Sequence, residues 1–505
     1  MTTIKKLLIV LLVFWAMLAQ AQNHEKKCWY IDYEQWNVNT PALHILCGNN
    51  PALNTGEELT LEMWVRAYTF GENRKVLGKV DSDGSSFQNG YVMGFQNLNV
   101  YTEIWNPSTQ VVTYGSAGPI PIDSAFVHMA TTYSAVTGYV RDYINGVKVG
   151  EKQIFPADPI TANDAEFMIG AAPWDPHAYQ FYGALDEVRV WNVARTEEEL
   201  QNTMFRELQG DESGLVAYYN FNTANNTEVP DMSGNGNTGV LQNADDPSWS
   251  WAPSHAPLGD ARMYAMHEPV AAWSGKTGEE FNYAVTENGF SVIADIGRKE
   301  FEKYVVFAHN GNEGVTTESE PVGEHQNFVR TSREWYVNQA GFPDVSAFVN
   351  LTEAAGQGEA LPQSDTKEHY ALLYRHSTSE AYKAMAFPTQ LYQDNLIFND
   401  IRLHDAYFCV GYSESSFEID LSPVEQIDAL PDVHIYPNPV TDLFTVTNAA
   451  GAQMVIANLQ GQVTKTVTID ADQFTCNVSP LPIGIYIVSI VKQGSVHTQK
   501  LIIEN

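Results

Sequence analysis

The sequence is poor in cysteine, and its few cysteines are scattered. Four cysteines in 505 residues, none in a CxxC pair, exclude a disulfide-dense scaffold and give no support to a zinc site or a redox motif. Cys28 and Cys47 are close enough along the chain to predict a local disulfide bridge. Cys409 and Cys476 fall in separate predicted domains, so no bridge between them is predicted.

Basic residues are also few, because 28 Lys and Arg face 61 Asp and Glu, for a formal charge of −33. Such a surface repels phosphate backbones and anionic lipid, so nucleic acid is not predicted as a partner. The excess carboxylates are free to meet cations or sugar hydroxyls. The simpler interpretation is a well-solvated extracellular surface.

Long apolar runs are absent after the first residues. Lys5 and Lys6 precede an apolar run from Leu7 to Ala19, which closes with Ala19-Gln20-Ala21. This pattern predicts a secretory signal peptide over residues 1–21, since the run is short for a bilayer core of ~30 Å. No later run approaches membrane length, so the mature chain is predicted to lack a transmembrane segment and to be secreted.

Helical periodicity is scarce, and short strands separated by Gly, Asn, Asp and Pro predict an all-β protein. In Leu61–Arg66, apolar residues alternate with Glu62, Trp64 and Arg66, which predicts a half-buried strand. Asn145-Gly146 predicts a two-residue hairpin turn. One helix is predicted from Thr196, where Glu199 completes a capping box and Leu200 and Met204 face the sandwich.

The order of these pieces resembles the LamG-like, concanavalin A-like jelly-roll family. The segments that carry the likeness are LEMWVR, FVHMATTY, YINGVKVG and the run from IGAAPWDP to RTEEELQ, followed by GLVAYYNFN and DMSGNGNTGVL. The resemblance implies a jelly-roll sandwich over residues 22–254. Residues 255–422 predict a second all-β module, similar to sandwich modules of multidomain surface proteins, and this second resemblance implies no activity.

The tail begins with YPNP, after an acidic, proline-containing linker over residues 423–434. Proline disfavours helix, so Pro437 and Pro439 lead the chain into a strand at Leu443. Residues 435–505 resemble the type A sorting domain of the type IX secretion system, a small β-sandwich. The matching positions are Pro437, Asn438, Pro439, Gly484, Tyr486 and Lys500. The resemblance implies type IX machinery as a partner and a place outside, or on the outer surface of, a Gram-negative cell.

Catalytic motifs are missing from the sequence. It has no His-Glu-x-x-His, no Gly-x-Ser-x-Gly and no phosphate-binding glycine loop. A glycoside hydrolase is the one enzyme alternative, and only Glu418-Ile-Asp420 begins like the Glu-x-Asp-x-x-Glu of retaining members. Glu425 follows beyond Pro423, so this run is interpreted as part of the linker. The sequence therefore favours a non-catalytic protein, either a binder or a structural spacer.

The strongest candidate for binding is the stretch from Ala171 to Tyr182. Trp174, His177 and Tyr179 offer aromatic faces for stacking on a sugar, while Asp175 takes its hydroxyls. Pro173 and Pro176 keep part of this stretch out of a central strand. In the alternative interpretation, the following Phe181 and Tyr182 fill the core and Trp174 covers an edge. The predicted ligand is a glycan or another extracellular polymer, bound for adhesion or capture.

Asp186 is the candidate metal ligand. It shares a strand face with Val188 and Val190, so strict alternation directs its carboxylate toward the core. A buried carboxylate needs a cation or hydrogen-bond donors. Many concanavalin A-like modules hold Ca²⁺, so the resemblance implies calcium as a cofactor at Asp186, with backbone N–H groups as the alternative partners.

Overall fold

The structure, a computed structural model, describes most of the chain after the signal region. The described residues are 26–32, 41–68, 73–82, 87–97, 99–105, 110–115, 125–154, 157–274, 281–296, 302–318, 328–341, 343, 345–415, 417, 433–458, 463–492 and 495–504. The predicted signal peptide and Glu418–Asp420 lie outside these residues. The chain divides into two compact units, residues 1–419 and 420–505.

The first part of the larger unit is an antiparallel sandwich. Its strands are β1 (Lys27–Ile31), β2 (His44–Leu46), β3 (Glu58–Ala67), β4 (Arg74–Ser82), β5 (Phe87–Gln96), β6 (Asn99–Trp105), β7 (Gln110–Gly115), β8 (Val127–Ser134), β9 (Tyr139–Ile144), β10 (Val147–Gln153), β11 (Met168–Ile169), β12 (Gly183–Trp191), β13 (Leu215–Tyr219), β14 (Glu228–Val229), β15 (Gly239–Gln242) and β16 (Trp249–Pro253). The front sheet runs β10-β9-β8-β3-β12-β1-β16, with β13 also on β12. The back sheet runs β14-β15-β2-β11-β4-β5-β6-β7. The predicted jelly-roll architecture is confirmed.

Two local predictions in this sandwich are confirmed. Helix α1 (Glu197–Met204) begins with a capping box, in which Glu199 N donates to Thr196 Oγ1 at 3.2 Å and Thr196 N donates to Glu199 Oε2 at 2.7 Å. Leu200 and Met204 are buried, as its apolar face requires. The turn between β9 and β10 holds Asn145 and Gly146 at φ 51° and 74°, the left-handed region that both residue types tolerate.

Strand β3 was predicted to be half-buried, and this prediction is wrong. Leu61 and Met63 face the core between the two sheets, but Glu62 and Trp64 on the other face are buried as well. Glu62 accepts a hydrogen bond from Trp191 Nε1 at 2.8 Å. Trp64 Nε1 donates to Met204 O at 2.8 Å. Both faces of the strand are buried over Leu59–Val65, because α1 and a second sandwich cover the outer face.

The second sandwich follows a 3₁₀ turn at Ala261–Ala265. Its elements are β17 (His267–Trp273), β18 (Phe281–Ala284), β19 (Phe290–Asp295), β20 (Tyr304–His309), β21 (Val315–Glu318), β22 (Phe328–Thr331), β23 (Trp335–Ala340), β24 (Val345–Asn350), α2 (Leu351–Ala355), β25 (Tyr370–Arg375), β26 (Lys383–Ala386), β27 (Gln390–Tyr392), β28 (Asn395–Ile401) and β29 (Ala406–Tyr412). One sheet packs against the jelly roll and is called the docked sheet. It runs β17-β20-β23-β29-β22-β21, with β25 on β29 and β26 on β25. The open sheet runs β18-β19-β24-β28-β27.

The two sandwiches share a buried interface cluster. Trp64, Phe126 and Phe205 of the jelly roll pack against Trp273 and Tyr304 of the docked sheet. Trp273 Nε1 donates to Phe126 O at 2.9 Å, so a polar bond accompanies the apolar contact. The larger unit is therefore compact across both sandwiches.

The predicted disulfide between Cys28 and Cys47 is wrong. Both thiols are free and buried. Cys28 lies in β1 of the front sheet and packs in the interface cluster, where its Sγ donates to Ala252 O at 3.5 Å. Cys47 directly follows β2 of the back sheet and packs in the jelly-roll core. Proximity in sequence misleads here, because β1 and β2 belong to opposite sheets.

The smaller unit is a β-sandwich of its own. Its strands are β30 (His434–Tyr436), β31 (Leu443–Thr447), β32 (Gln453–Asn458), β33 (Val463–Thr468), β34 (Gln473–Asn477), β35 (Gly484–Lys492) and β36 (Ser495–Ile503), in sheets β30-β31-β34 and β33-β32-β35-β36. The exposed Pro437 and Pro439 follow β30, as the strand prediction requires.

The remaining motif positions of this unit serve its fold. Asn438 Oδ1 accepts a hydrogen bond from Ile502 N at 2.9 Å. Gly484 starts β35, and the buried Tyr486 donates its hydroxyl to Pro482 O at 2.8 Å. Lys500 lies in β36 opposite Ile487.

Candidate functional site

The outer face of the back sheet carries the candidate site. Side chains on β4, β5 and β6 alternate, so Tyr91, Met93 and Ile104 enter the core while their neighbours point away from it. The outward positions fall in three cross-strand rows: Val80–Gly90–Trp105, Gly78–Val92–Glu103 and Lys75–Gly94–Tyr101.

Strand β5, between β4 and β6, has glycines at two outward positions, Gly90 and Gly94. A Cβ at Gly90 would lie 2.0 Å from Lys79 O, and a Cβ at Gly94 would lie 2.0 Å from Arg74 O, so neither position admits a side chain. Gly90 also has φ 132°. Residues from the flanking strands therefore reach across β5, and Trp105 packs with Val80 and Val92 in a small cluster of its own.

Lys75 and Glu103 form an ion pair across this opening. Lys75 Nζ lies 3.1 Å from Glu103 Oε1 and 3.5 Å from the centroid of the Tyr101 ring. Burial lowers the pKa of Lys75 to about 8, although Glu103 opposes the shift. The ammonium is fully buried and already has a carboxylate and an aromatic face as partners. Its place in the site is to fix Tyr101 and Glu103 beneath the surface.

The stretch that the sequence singled out borders the same face. Gly170 N donates to Val76 O at 2.6 Å and Lys75 N donates to Tyr179 O at 3.0 Å, so the segment leaves β4 and returns to it. Between these bonds lies a turn in which Ala178 N donates to Asp175 Oδ1 at 3.0 Å. The carboxylate of Asp175 thus shapes the turn, while its side chain remains exposed.

Three rings form an aromatic ledge: Trp105, Trp174 and Tyr179. Trp174 meets Trp105 edge to face, with centroids 6.1 Å apart, and Tyr179 at 5.6 Å. Trp105 is buried, whereas Trp174 and Tyr179 are half-buried and keep part of their rings in solvent. The half-buried His177 lies on the same turn.

The four predicted binding residues therefore belong to one turn, and the alternative interpretation of the stretch holds in part. Phe181 and Tyr182 are core residues, each about 1% exposed, as the alternative required. Trp174 covers Trp105 but is not enclosed. The sequence analysis missed Lys75, Tyr101 and Glu103. The signal for them was Gly90 and Gly94, whose spacing puts both glycines on one face of a strand.

Asp186 does not face the jelly-roll core, so that prediction is wrong. Glu187 adopts φ 52° and the register of β12 against β3 shifts between Asp186 and Arg189. This bulge interrupts the alternation. Asp186 Oδ2 accepts a hydrogen bond from Ser254 Oγ at 2.5 Å, and its Oδ1 accepts one from Glu187 N at 2.7 Å.

The surroundings of Asp186 do not fit Ca²⁺, which takes six to eight oxygen ligands. Burial raises the pKa of Asp186 well above its usual range, and the neighbouring Glu187 raises it further. Both oxygens of Asp186 already accept hydrogen bonds, from Ser254 and Glu187, which leaves little capacity for a hard cation. Within the described ranges, no group of three or more His, Cys, Asp or Glu side chains could hold a metal ion.

Two segments of the chain match models of known protein families. Residues 43–201 match the family model described as the concanavalin A-like lectin/glucanases superfamily. Residues 434–504 match the model described as a secretion system C-terminal sorting domain. The chain therefore contains a concanavalin A-like jelly roll and a type IX secretion sorting domain. The sorting domain indicates secretion and attachment at the cell surface, with the type IX machinery as partner.

The search of curated proteins gave no match. Among solved structures, a putative carbohydrate binding protein from Bacteroides ovatus is 22% identical over 46% of this chain and 61% of its own, with a TM-score of 0.35. The CBM40 of the Ruminococcus gnavus IT-sialidase, bound to α2,3-sialyllactose, is 17% identical over 30% of this chain and 89% of its own, with a TM-score of 0.25. Domains LG4-5 of the mouse laminin α1 chain are 7% identical over 78% of this chain and 86% of their own, with a TM-score of 0.28.

In the described part of the chain, no helix has the length and apolar character needed to cross a bilayer.

Proposed function

We propose that the jelly roll binds an extracellular glycan on the aromatic ledge, for adhesion or polymer capture at the outer surface of a Gram-negative cell. The observation that carries the proposal is the pair of half-buried rings, Trp174 and Tyr179, beside the exposed carboxylate of Asp175. The sorting domain agrees with a place outside the cell.

The chemistry of the ledge suits a sugar. Aromatic faces stack on the C–H face of a pyranose, and a carboxylate or imidazole takes its hydroxyls. Trp105 supports Trp174 from below, so the upper ring needs little ordering when a ligand arrives. The nearby buried Lys75 is neutralised by Glu103, so its charge does not demand an anionic ligand.

The same geometry supports binding without catalysis. Glycoside hydrolysis needs two carboxyl groups roughly 5 to 9.5 Å apart on either side of the bond. Of the carboxylates at the ledge, Glu103 is paired with Lys75 and buried, and Asp175 accepts the hydrogen bond that forms its turn. Neither has the paired, open arrangement that a glycosidase uses.

A titration with matched tryptophan variants tests the proposal. The full chain is titrated with the oligosaccharide that gives its strongest glycan-array signal, beside Trp174→Ala and Trp251→Ala. Trp251 is also a half-buried tryptophan of the jelly roll, but it lies in β16 and stacks on Phe221. We expect Trp174→Ala to weaken binding at least tenfold, about 1.4 kcal/mol, because a stacking face is lost. Trp251→Ala should bind like the parent chain.

The melting temperatures of the same variants separate binding from packing. If Trp174 serves binding, the Trp174→Ala variant should melt at a temperature close to that of the parent chain. A lower melting temperature with unchanged affinity for Trp174→Ala would instead assign this side chain to packing alone and overturn the proposal. Calcium stays a prediction for this domain, and repeating the titration in a chelator tests it.

A further inference from the structure

A cavity lies in the second sandwich, at the end where β27 and β28 meet the segment 361–370. Its volume is about 310 Å³. This is at the lower end of the ~300 to 1,000 Å³ of known ligand pockets, so it suits a small ligand. Most of its exposed lining is polar, and Leu351, Leu391 and Tyr370 contribute the smaller apolar part. The polar lining includes Gln363, Asp365 and Gln393.

The walls of this cavity are held in place by hydrogen bonds. Tyr370 donates its hydroxyl to Pro362 O at 2.7 Å and accepts from Ser364 N at 2.9 Å. Ser364 Oγ lies 2.8 Å from His369 Nδ1. On the opposite wall, Gln393 occupies the turn between β27 and β28 at φ 55°. The cavity is therefore built before any ligand arrives.

Its polar side chains remain available. Gln363, Asp365 and Gln393 are exposed, and among the described residues none of the three side chains makes a hydrogen bond. Two amides supply both donors and acceptors, and the carboxylate supplies acceptors only. Neither Lys nor Arg lines the cavity within the described residues, so nothing there neutralises an anion.

We propose that this cavity is a second saccharide site, which binds a neutral sugar independently of the aromatic ledge. Gln363 and Gln393 exchange hydrogen bonds with the hydroxyls of the sugar, and Asp365 accepts from a further hydroxyl. The carboxylate and the lack of a cation disfavour uronic acids, sialic acids and phosphorylated sugars. A chain that carries both sites could hold a polymer at two points, which raises its avidity.

Ligand-observed saturation-transfer NMR on the full chain tests the second site. The probes are neutral methyl glycosides of glucose, galactose and mannose, with glucuronic acid as the acidic comparison. Trp174→Ala serves as the background variant, so that the aromatic ledge does not contribute. Within it, Gln363→Ala and Asp365→Ala remove lining groups. Gln390→Ala is the matched control, because Gln390 is an exposed glutamine of the same hairpin outside the cavity lining.

We expect a neutral glycoside to bind in the Trp174→Ala background and to lose at least tenfold in affinity in Gln363→Ala or Asp365→Ala. Gln390→Ala should leave the affinity unchanged. The proposal is overturned if no neutral glycoside binds, if only glucuronic acid binds, or if the cavity variants bind like their background. These outcomes do not depend on the ledge, because the effect of Trp174→Ala on array binding is judged separately.

Discussion

The indole rings of Trp64 and Trp273 meet edge to face, with centroids 5.8 Å apart and planes 79° apart. This contact joins the front sheet of the jelly roll to the docked sheet of the second sandwich. Both rings also use their N–H groups, Trp64 on Met204 O and Trp273 on Phe126 O. The second sandwich thus completes the burial of the jelly roll, in addition to carrying its own cavity.

Replacing Trp273 by alanine should therefore destabilise the larger unit. The side chain is 3% exposed, and loss of a buried aromatic costs about 3 to 5 kcal/mol of unfolding free energy. Denaturant unfolding of the full chain measures the loss. Val285→Ala, at a side chain 65% exposed on the second sandwich, is the control and should change the free energy by less than about 0.5 kcal/mol. Equal values for the two variants would contradict the interface described above.

Asp142 makes the unfolding free energy of the larger unit depend on pH. Thr131 Oγ1 lies 2.7 Å from Asp142 Oδ1 and 2.8 Å from Thr102 Oγ1 of the opposite sheet, so the carboxyl lies between the layers. Burial raises its pKa to about 6, although the threonine hydrogen bonds oppose the shift. Since the folded pKa exceeds the unfolded value of about 3.9, the stabilising contribution is fully present below about pH 4 and is lost as the pH rises through 6.

In the variant Asp142→Asn, the side chain cannot ionise, so this pH-dependent contribution to the unfolding free energy is lost. Its unfolding free energy, taken relative to the parent chain at the same pH, should increase by roughly 2 kcal/mol between pH 4 and pH 7. Chemical denaturation at several pH values gives the difference directly, and other titrating groups cancel. A difference that is independent of pH, or that decreases, would show that the carboxyl is not held in its neutral form.

All four cysteines should be reduced in the folded protein. Burial raises the pKa of the Cys28 thiol far above its usual range and that of Cys47 to about 12, so neither should react quickly in the native state. Thiol titration in denaturant without reductant should count four thiols per chain. A count of two, restored to four by reductant, would restore the predicted Cys28–Cys47 bridge.

Local patterns in the sequence predicted the parts of the fold that local chemistry determines. The capping box at Thr196 and the Asn145-Gly146 turn depend on neighbouring residues alone, whereas the jelly roll was implied by the family resemblance. The burial of Trp64 could not be predicted in this way, because the side chain that covers it, Trp273, belongs to another sandwich. Asp186 was misplaced for a related reason, since the bulge at Glu187 changes which face a residue occupies without a recognisable motif.

The candidate site shows the same division. The turn with Trp174 and Tyr179 was visible as a run rich in aromatic residues that begins at two prolines. Its support was not, because Trp105 and Glu103 come from a strand far away in sequence. Only a sheet register, in which Gly94 lies between Lys75 and Tyr101, brings them together.

The central claim is that the aromatic ledge binds glycan, and a glycan array with the full chain tests it most directly. The parent chain and the double variant Trp174→Ala/Tyr179→Ala are probed side by side, once both proteins have been shown to have similar melting temperatures. The account predicts selective signals for the parent chain and a loss of those signals in the variant. A blank array for the parent chain, or the same signals for both proteins, would contradict it.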